Sequence, residues 1–185
     1  MKALSAYPAA SEGTVIITSA WTARDIAPKL NPDFIISLMD PGDKFSLPTG
    51  PALRRHLHLD MHDIDNQGAP VPPPYVGPTA EHVQEIIEAA RTWHRSAVVL
   101  VHCVAGISRS GAAGLVFLAA RNPGREHEIG LRLRREGPWL NPNPSIVGMG
   151  DDLLGLQGAL RRALDAMGEP TVRGVGGSVT IPTTI

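Results

Sequence analysis

Ten consecutive residues, His102-Cys103-Val104-Ala105-Gly106-Ile107-Ser108-Arg109-Ser110-Gly111, hold the only cysteine of the chain and, six positions after it, an arginine. A cysteine attacks only as its thiolate, and a thiol holds little thiolate at neutral pH unless a helix N-terminus or a nearby cation favours it. An arginine presents a planar fork that matches two oxygens of a phosphate, a fit lysine cannot imitate. Gly106 lets the turn close and lets backbone approach an anion with no Cβ in the way. Ser110 offers a hydroxyl to the sulfur, and His102 stands where it can fix the loop by bonding to backbone groups. The set describes a nucleophile at the base of an oxyanion cradle, lined by Val104, Ala105, Gly106, Ile107, Ser108 and Arg109.

Such a cradle has to be positioned. The apolar run Ala97-Val98-Val99-Leu100-Val101 leads straight into it and reads as a buried strand. A small-residue helical pattern from Ser110 to Arg121 leaves it and is broken by Asn122-Pro123-Gly124. Strand, tight loop and helix N-terminus aim N–H groups and the positive end of a helix dipole at one spot.

The pattern Cys-x5-Arg-Ser preceded by His resembles the signature loop of the cysteine-based protein tyrosine phosphatases, and its flanks resemble the compact, dual-specificity-like and bacterial branches. That resemblance implies hydrolysis of phosphate monoesters through a phosphocysteine, with no cofactor and no metal. It also implies a general acid, an aspartate on a loop after a strand and ahead of a long helix, because an expelled alkoxide or phenoxide leaves far better when protonated. Asp60, Asp63 and Asp65 all fit loosely. Asp60 belongs to a strand, whereas Asp63 sits where that strand runs out and is the first choice, with Asp65 second. The Trp-Pro-Asp sequence of other members is absent. Asn143 and Gln157 are candidates to touch the water of a second step, although a turn and a helix surface explain them as well.

A competing pattern is His56-x-His58-x-Asp60-x-His62, which resembles the zinc-holding motif of metallo-β-lactamase-like hydrolases with its last spacing off by one. A strand would put all four on one face, but a solvent-facing stripe opposite Leu57 and Leu59 accounts for the alternation equally well. Trp93 and Trp139 read as core or lid packing.

The remaining chain supplies alternating elements. Strands are expected over 14–18, 33–38 and 54–64, and helices over 21–30 (with Thr22 as its cap), 78–94, 126–136 and 145–167. Residues 65–78 are Gly- and Pro-rich and read as irregular loop, and Asn141-Pro142-Asn143-Pro144 as a rigid elbow. The fold class expected is α/β, with a central, mainly parallel sheet of four to five strands flanked by helices, and with ligands bound outside the carboxyl ends of the strands. Residues 1–167 make one catalytic domain, and 168–185 a tail that is either flexible or adds an edge strand.

A chain of 185 residues with net charge −1 and no lysine-rich run gives no reason to expect nucleic acid or a membrane surface as partner. A lone thiol suits a reducing compartment, so the cytoplasm is expected. The oligomeric state is left open. No phosphotyrosine-recognition insert is evident, so a phosphorylated lipid or inositol is the alternative substrate class to phosphoprotein. The uncharged Val104, Ala105, Ile107 and Ser108 favour phosphoprotein, since inositol and lipid readers often carry lysines in this loop. A weak phosphate-binding module and the zinc hydrolase are the remaining alternatives.

Overall fold

The computed structural model describes residues 13–48, 50, 53–67, 69–94, 96–171 and 177–185. Three apolar runs form the middle of the sheet: β1 (Thr14–Ser19), β2 (Phe34–Met39) and β4 (Val98–Cys103). They are buried nearly throughout, as strands covered on both faces must be. β3 (Arg55–Asp60) alternates exposed and buried residues and lies at one edge. β5 (Val179–Pro182) closes the other, giving the order β3-β2-β4-β1-β5. The first four strands are parallel and β5 runs antiparallel to β1. The expected α/β sheet of four to five strands is therefore the one observed.

Among the described residues, six helices cover it: α1 (Ala20–Leu30), α2 (Ala80–Thr92), α3 (Arg109–Arg121), α4 (Glu126–Glu136), α5 (Pro144–Leu154) and α6 (Ala159–Met167). The pleat sorts the core. Val99, Val101 and Cys103 join the larger cluster with α2 and α3, while Leu100 packs with Ile16, Ile35 and α1 on the opposite face. α1 begins at Ala20, capped by the Ser19 hydroxyl on the Thr22 N–H, so the cap is Ser19 and not Thr22. Trp93 stacks on Phe34 and Trp139 packs against the same core, as anticipated for both.

Two boundaries differ from expectation. The helix expected over 145–167 is two helices, because Gly155 and Gly158 take φ of 69° and 86°, where a glycine is at ease and a helix ends. The buried Asp151 carboxylate then caps α6 by accepting from the N–H groups of Gly158, Leu160 and Arg161. Periodicity continues across the break and hides it. The third strand stops at Asp60 rather than reaching residue 64. After Met61 N–H bonds the Met39 carbonyl, His62 N–H turns away to the Val76 carbonyl.

In the segment left open as flexible tail or edge strand, Val179 and Ile181 are core residues, and Asn122 bonds the Thr183 carbonyl and the Ile185 N–H. Residues 172–176 of it lie outside the described residues. None of the described helices is long and apolar enough to cross a membrane.

Candidate active site

β4 ends on Cys103 and α3 starts at Arg109, so the five residues between them form the tight loop. Gly106 holds the turn at φ 73°, and a Cβ there would lie 2.4 Å from the Ser19 N. Glycine is therefore required twice, by conformation and by room. The loop is braced from α1 by the Ala20 N–H on the Val104 carbonyl, and from the 141–144 elbow by Asn141 N–H on Ile107 and Asn143 N–H on Ser108. Cys103 is 1% exposed, and its sulfur receives the Gly106 N–H at 3.3 Å, with the Ser110 hydroxyl at 3.2 Å. Ser108, the residue before α3, makes no side-chain cap, which leaves the first N–H groups of that helix for an anion.

Arg109 is buried under this loop, and one end of its fork is tied down. Its Nη1 donates to Asp40 Oδ1 at 2.7 Å and to the Met61 carbonyl. Its Nε is buried with no partner. A buried donor left empty is rare and calls for a ligand, and here the free Nε edge is the one that would take two phosphate oxygens side by side. Asp40 is not among the candidates that the sequence offers. The signal that finds it is register: Leu38 of β2 stands opposite Cys103 of β4, so the residues just beyond both strand ends meet at one edge.

Asp63 is brought onto the loop. Its Oδ1 accepts from the Ser108 hydroxyl at 2.7 Å and from Asn143 Nδ2 at 2.9 Å. Asn143 also caps α5, accepting from Ile146 N–H, so one side chain does both tasks. Asp65, the second choice, is bound by Ser145 and Gln67 instead. Gln157 sits exposed in the α5–α6 turn and makes no side-chain contact with these groups. Asp60 is at the exposed end of β3, paired with His58 at 3.1 Å.

The four-residue histidine stripe does not assemble. His56 Nε2 is engaged with Ser37, and His62, beyond the strand end, accepts from the Val76 N–H. Among the described residues no three His, Cys, Asp or Glu side chains converge as a cation site. The zinc reading fails on that geometry, because the strand stops before the fourth residue.

His102 is fully buried, with Nε2 2.6 Å from Ser37 Oγ. Burial, with His56 adding to it, pushes its pKa down to about 4 from 6.5. An unfolded chain therefore binds a proton between these two values that the folded one refuses, and stability rises with pH across that window. We expect about 2 kcal/mol less stability at pH 5 than at pH 8 from this residue alone. Denaturant midpoints across that range check it: His102→Asn should show a flatter profile, and parallel profiles would contradict the assignment.

With this geometry in view, comparison with known proteins gives a clear result for the fold. No family model and no curated protein matches the sequence. Solved structures do match. Human DUSP28 superposes with a TM-score of 0.54 at 16% identity, over 84% of this chain and 90% of that one. DUSP15 gives 0.55 at 17%, over 84% and 97%, and PTPMT1 gives 0.54 at 17%, over 82% and 94%. The loop of Cys103 and Arg109 thus stands at the strand ends of a sheet whose fold is that of the dual-specificity phosphatases.

Proposed function

We propose that this protein is a cysteine-dependent phosphate monoester hydrolase acting on phosphotyrosyl proteins. The observation that carries the reading is the Arg109 fork, anchored at Nη1 and empty at Nε, on the helix that starts one loop away from a buried thiol. Cys103 Sγ attacks phosphorus as the ester P–O bond breaks, and the Asp63 carboxyl gives its proton to the leaving oxygen. Arg109 and the loop N–H groups hold the equatorial oxygens. In the second step water attacks the phosphocysteine and Asp63, now a carboxylate, takes its proton. The S–P bond breaks, inorganic phosphate leaves, and the Ser110 hydroxyl supports the departing thiolate. Asp63 Oδ1 is occupied by Ser108 and Asn143, so Oδ2 is the oxygen that carries the proton.

For substrate, two aromatic residues gather beside the cradle. Trp21, 66% exposed at the start of α1, packs edge-on against Phe45, whose ring in turn lies 5.7 Å from that of His102. This aromatic wall suits the ring of a phosphotyrosine. The solved complex of PTPMT1 with PI(5)P raises a phosphoinositide as the second reading, which the uncharged loop residues disfavour.

Turnover of a phosphotyrosyl peptide should exceed that of a phosphoseryl peptide or PI(5)P by about tenfold or more, and Trp21→Ala should erode the difference. Preference for PI(5)P would overturn the substrate class. Asp63→Asn should lower turnover of an alkyl phosphate by about 10²-fold and that of an aryl phosphate with a better leaving group by less. Equal losses on both, or the larger loss in Asp65→Asn, would displace Asp63 as the acid.

A further inference from the structure

We infer that Ser145 and Asp65 are positioning residues for the general acid, and that the hydrogen bond between them sets Asp63 at the catalytic loop before substrate arrives. The inference rests on the reading of Asp63 as the acid and extends it to a latch that takes no part in the chemistry.

Asp63 lies on a segment with no regular structure of its own, between the end of β3 and the Pro-rich stretch. Such backbone must be held from outside if one carboxyl is to meet a leaving oxygen within hydrogen-bond reach. At one end His62 N–H bonds the Val76 carbonyl, and the His62 ring accepts from the Val76 N–H. The following residues are tied to the start of α5. Asn143 Nδ2 reaches Asp63 Oδ1 at 2.9 Å and the Ile64 carbonyl at 3.2 Å. Ser145 Oγ donates to Asp65 Oδ1 at 2.7 Å and accepts from the Gln67 N–H at 2.7 Å. The directions leave no choice: an N–H only donates, so the one hydroxyl proton goes to the carboxylate.

The latch serves this segment more than the core. Ser145 is 2% exposed, and an apolar side chain would fill its place as well as a hydroxyl does. Pro144, between Asn143 and Ser145, fixes φ at the first turn of α5, so both side chains are presented from a stiff elbow. Gln67 takes φ 50°, a left-handed conformation uncommon outside glycine. In that conformation its N–H meets Ser145 Oγ and its side chain returns to Asp65 Oδ1 at 2.6 Å. A residue held in such a conformation is kept there by its surroundings, and such residues gather at functional sites. Asp65 is exposed, and its Oδ2 has no partner among the described residues, so what it supplies is the acceptor Oδ1. The effect on the acid is direct. Asp63 Oδ1 is occupied by Ser108 and Asn143, and the aim of Oδ2 follows from where the 62–67 backbone is held.

One substitution separates an acid from an acceptor: asparagine has no carboxyl proton to give, yet its carbonyl oxygen still accepts. Ser145→Ala and Asp65→Ala should each lower kcat on an alkyl phosphate about tenfold, the scale of one buried hydrogen bond. On an aryl phosphate with a good leaving group the loss should be about twofold or less, because that oxygen needs the proton less. Asp65→Asn should recover most of the alkyl phosphate turnover. Amide exchange of Gln67, whose N–H bonds Ser145 Oγ, should quicken in Ser145→Ala in the full chain. Should Ser145→Ala fold poorly, the pair Asp65→Ala and Asp65→Asn on the exposed segment carries the test. Equal losses on both esters would mean general damage to the loop and overturn the inference. Asp65→Asn as inactive as Asp63→Asn would overturn it too, and so would variants with unchanged turnover. A wild type that hydrolyses neither ester would count against the proposed function instead. The latch is then decided by Gln67 exchange, which needs no substrate, and an unchanged rate in Ser145→Ala would overturn it.

Discussion

Cys103→Ser is expected to lower turnover of para-nitrophenyl phosphate by on the order of 10⁴-fold or more, the scale seen when a covalent nucleophile is removed. The sulfur accepts from the Gly106 N–H and lies 3.2 Å from the Ser110 hydroxyl oxygen. A serine hydroxyl in the same place stays protonated, because no base stands next to it: the nearest imidazole, His102, is occupied by Ser37. The serine is close in size, so the loop should keep its shape and still bind phosphate. Inhibition of phosphate binding alongside lost turnover would therefore point to a collapsed loop and not to a missing nucleophile. Wild-type turnover should persist in EDTA. Activity lost to EDTA and unchanged by the substitution would sink the thiol mechanism.

Arg109→Lys should cost about 10³-fold, the upper range for removing a preorganised oxyanion donor. Two contacts of this side chain and its unpaired Nε depend on the planar fork: Nη1 to Asp40, Nη1 to the Met61 carbonyl, and an Nε edge still able to donate. A lysine keeps the charge and loses the bidentate grip, so the loss should fall mainly on kcat, with the affinity for inorganic phosphate reduced far less. Asp40→Asn, which leaves the guanidinium in place with a weaker anchor, should cost about tenfold. A lysine variant retaining most of its turnover would mean that the loop N–H groups alone carry the transition state, contrary to the geometry.

Much of this site was legible in ten residues because strand, glycine turn and helix start are contiguous, and contiguous chemistry needs no fold to assemble it. Asp63 was ranked first on the same kind of local evidence, a strand running out into a Pro/Gly loop, and it is the aspartate that meets Ser108 and Asn143. What could not be read were contacts made across the sheet. Ser37 belongs to β2, Asp40 follows its end and His56 belongs to β3, and only the order β3-β2-β4 brings them to Arg109 and His102. The histidine stripe misled for a related reason. Its period of two extends to His62, but hydrogen bonding to Met39 and Val76 ends the strand at Asp60. The break between α5 and α6 was concealed by apolar residues that keep helical spacing on both sides of Gly155 and Gly158, while Asp151 supplies the cap from the preceding helix.

The most direct test of a covalent mechanism is to look for the intermediate. Asp63→Asn protein mixed with an aryl phosphate and quenched in acid within a turnover should gain the mass of one phosphoryl group, located on the peptide that contains Cys103, because the second step has lost its base. A phosphoryl group on that cysteine, absent from Cys103→Ser treated in the same way, is the result the geometry predicts. Turnover of the same substrate with no phosphoryl adduct on Cys103 at any quench time, or an adduct on another residue, would contradict it.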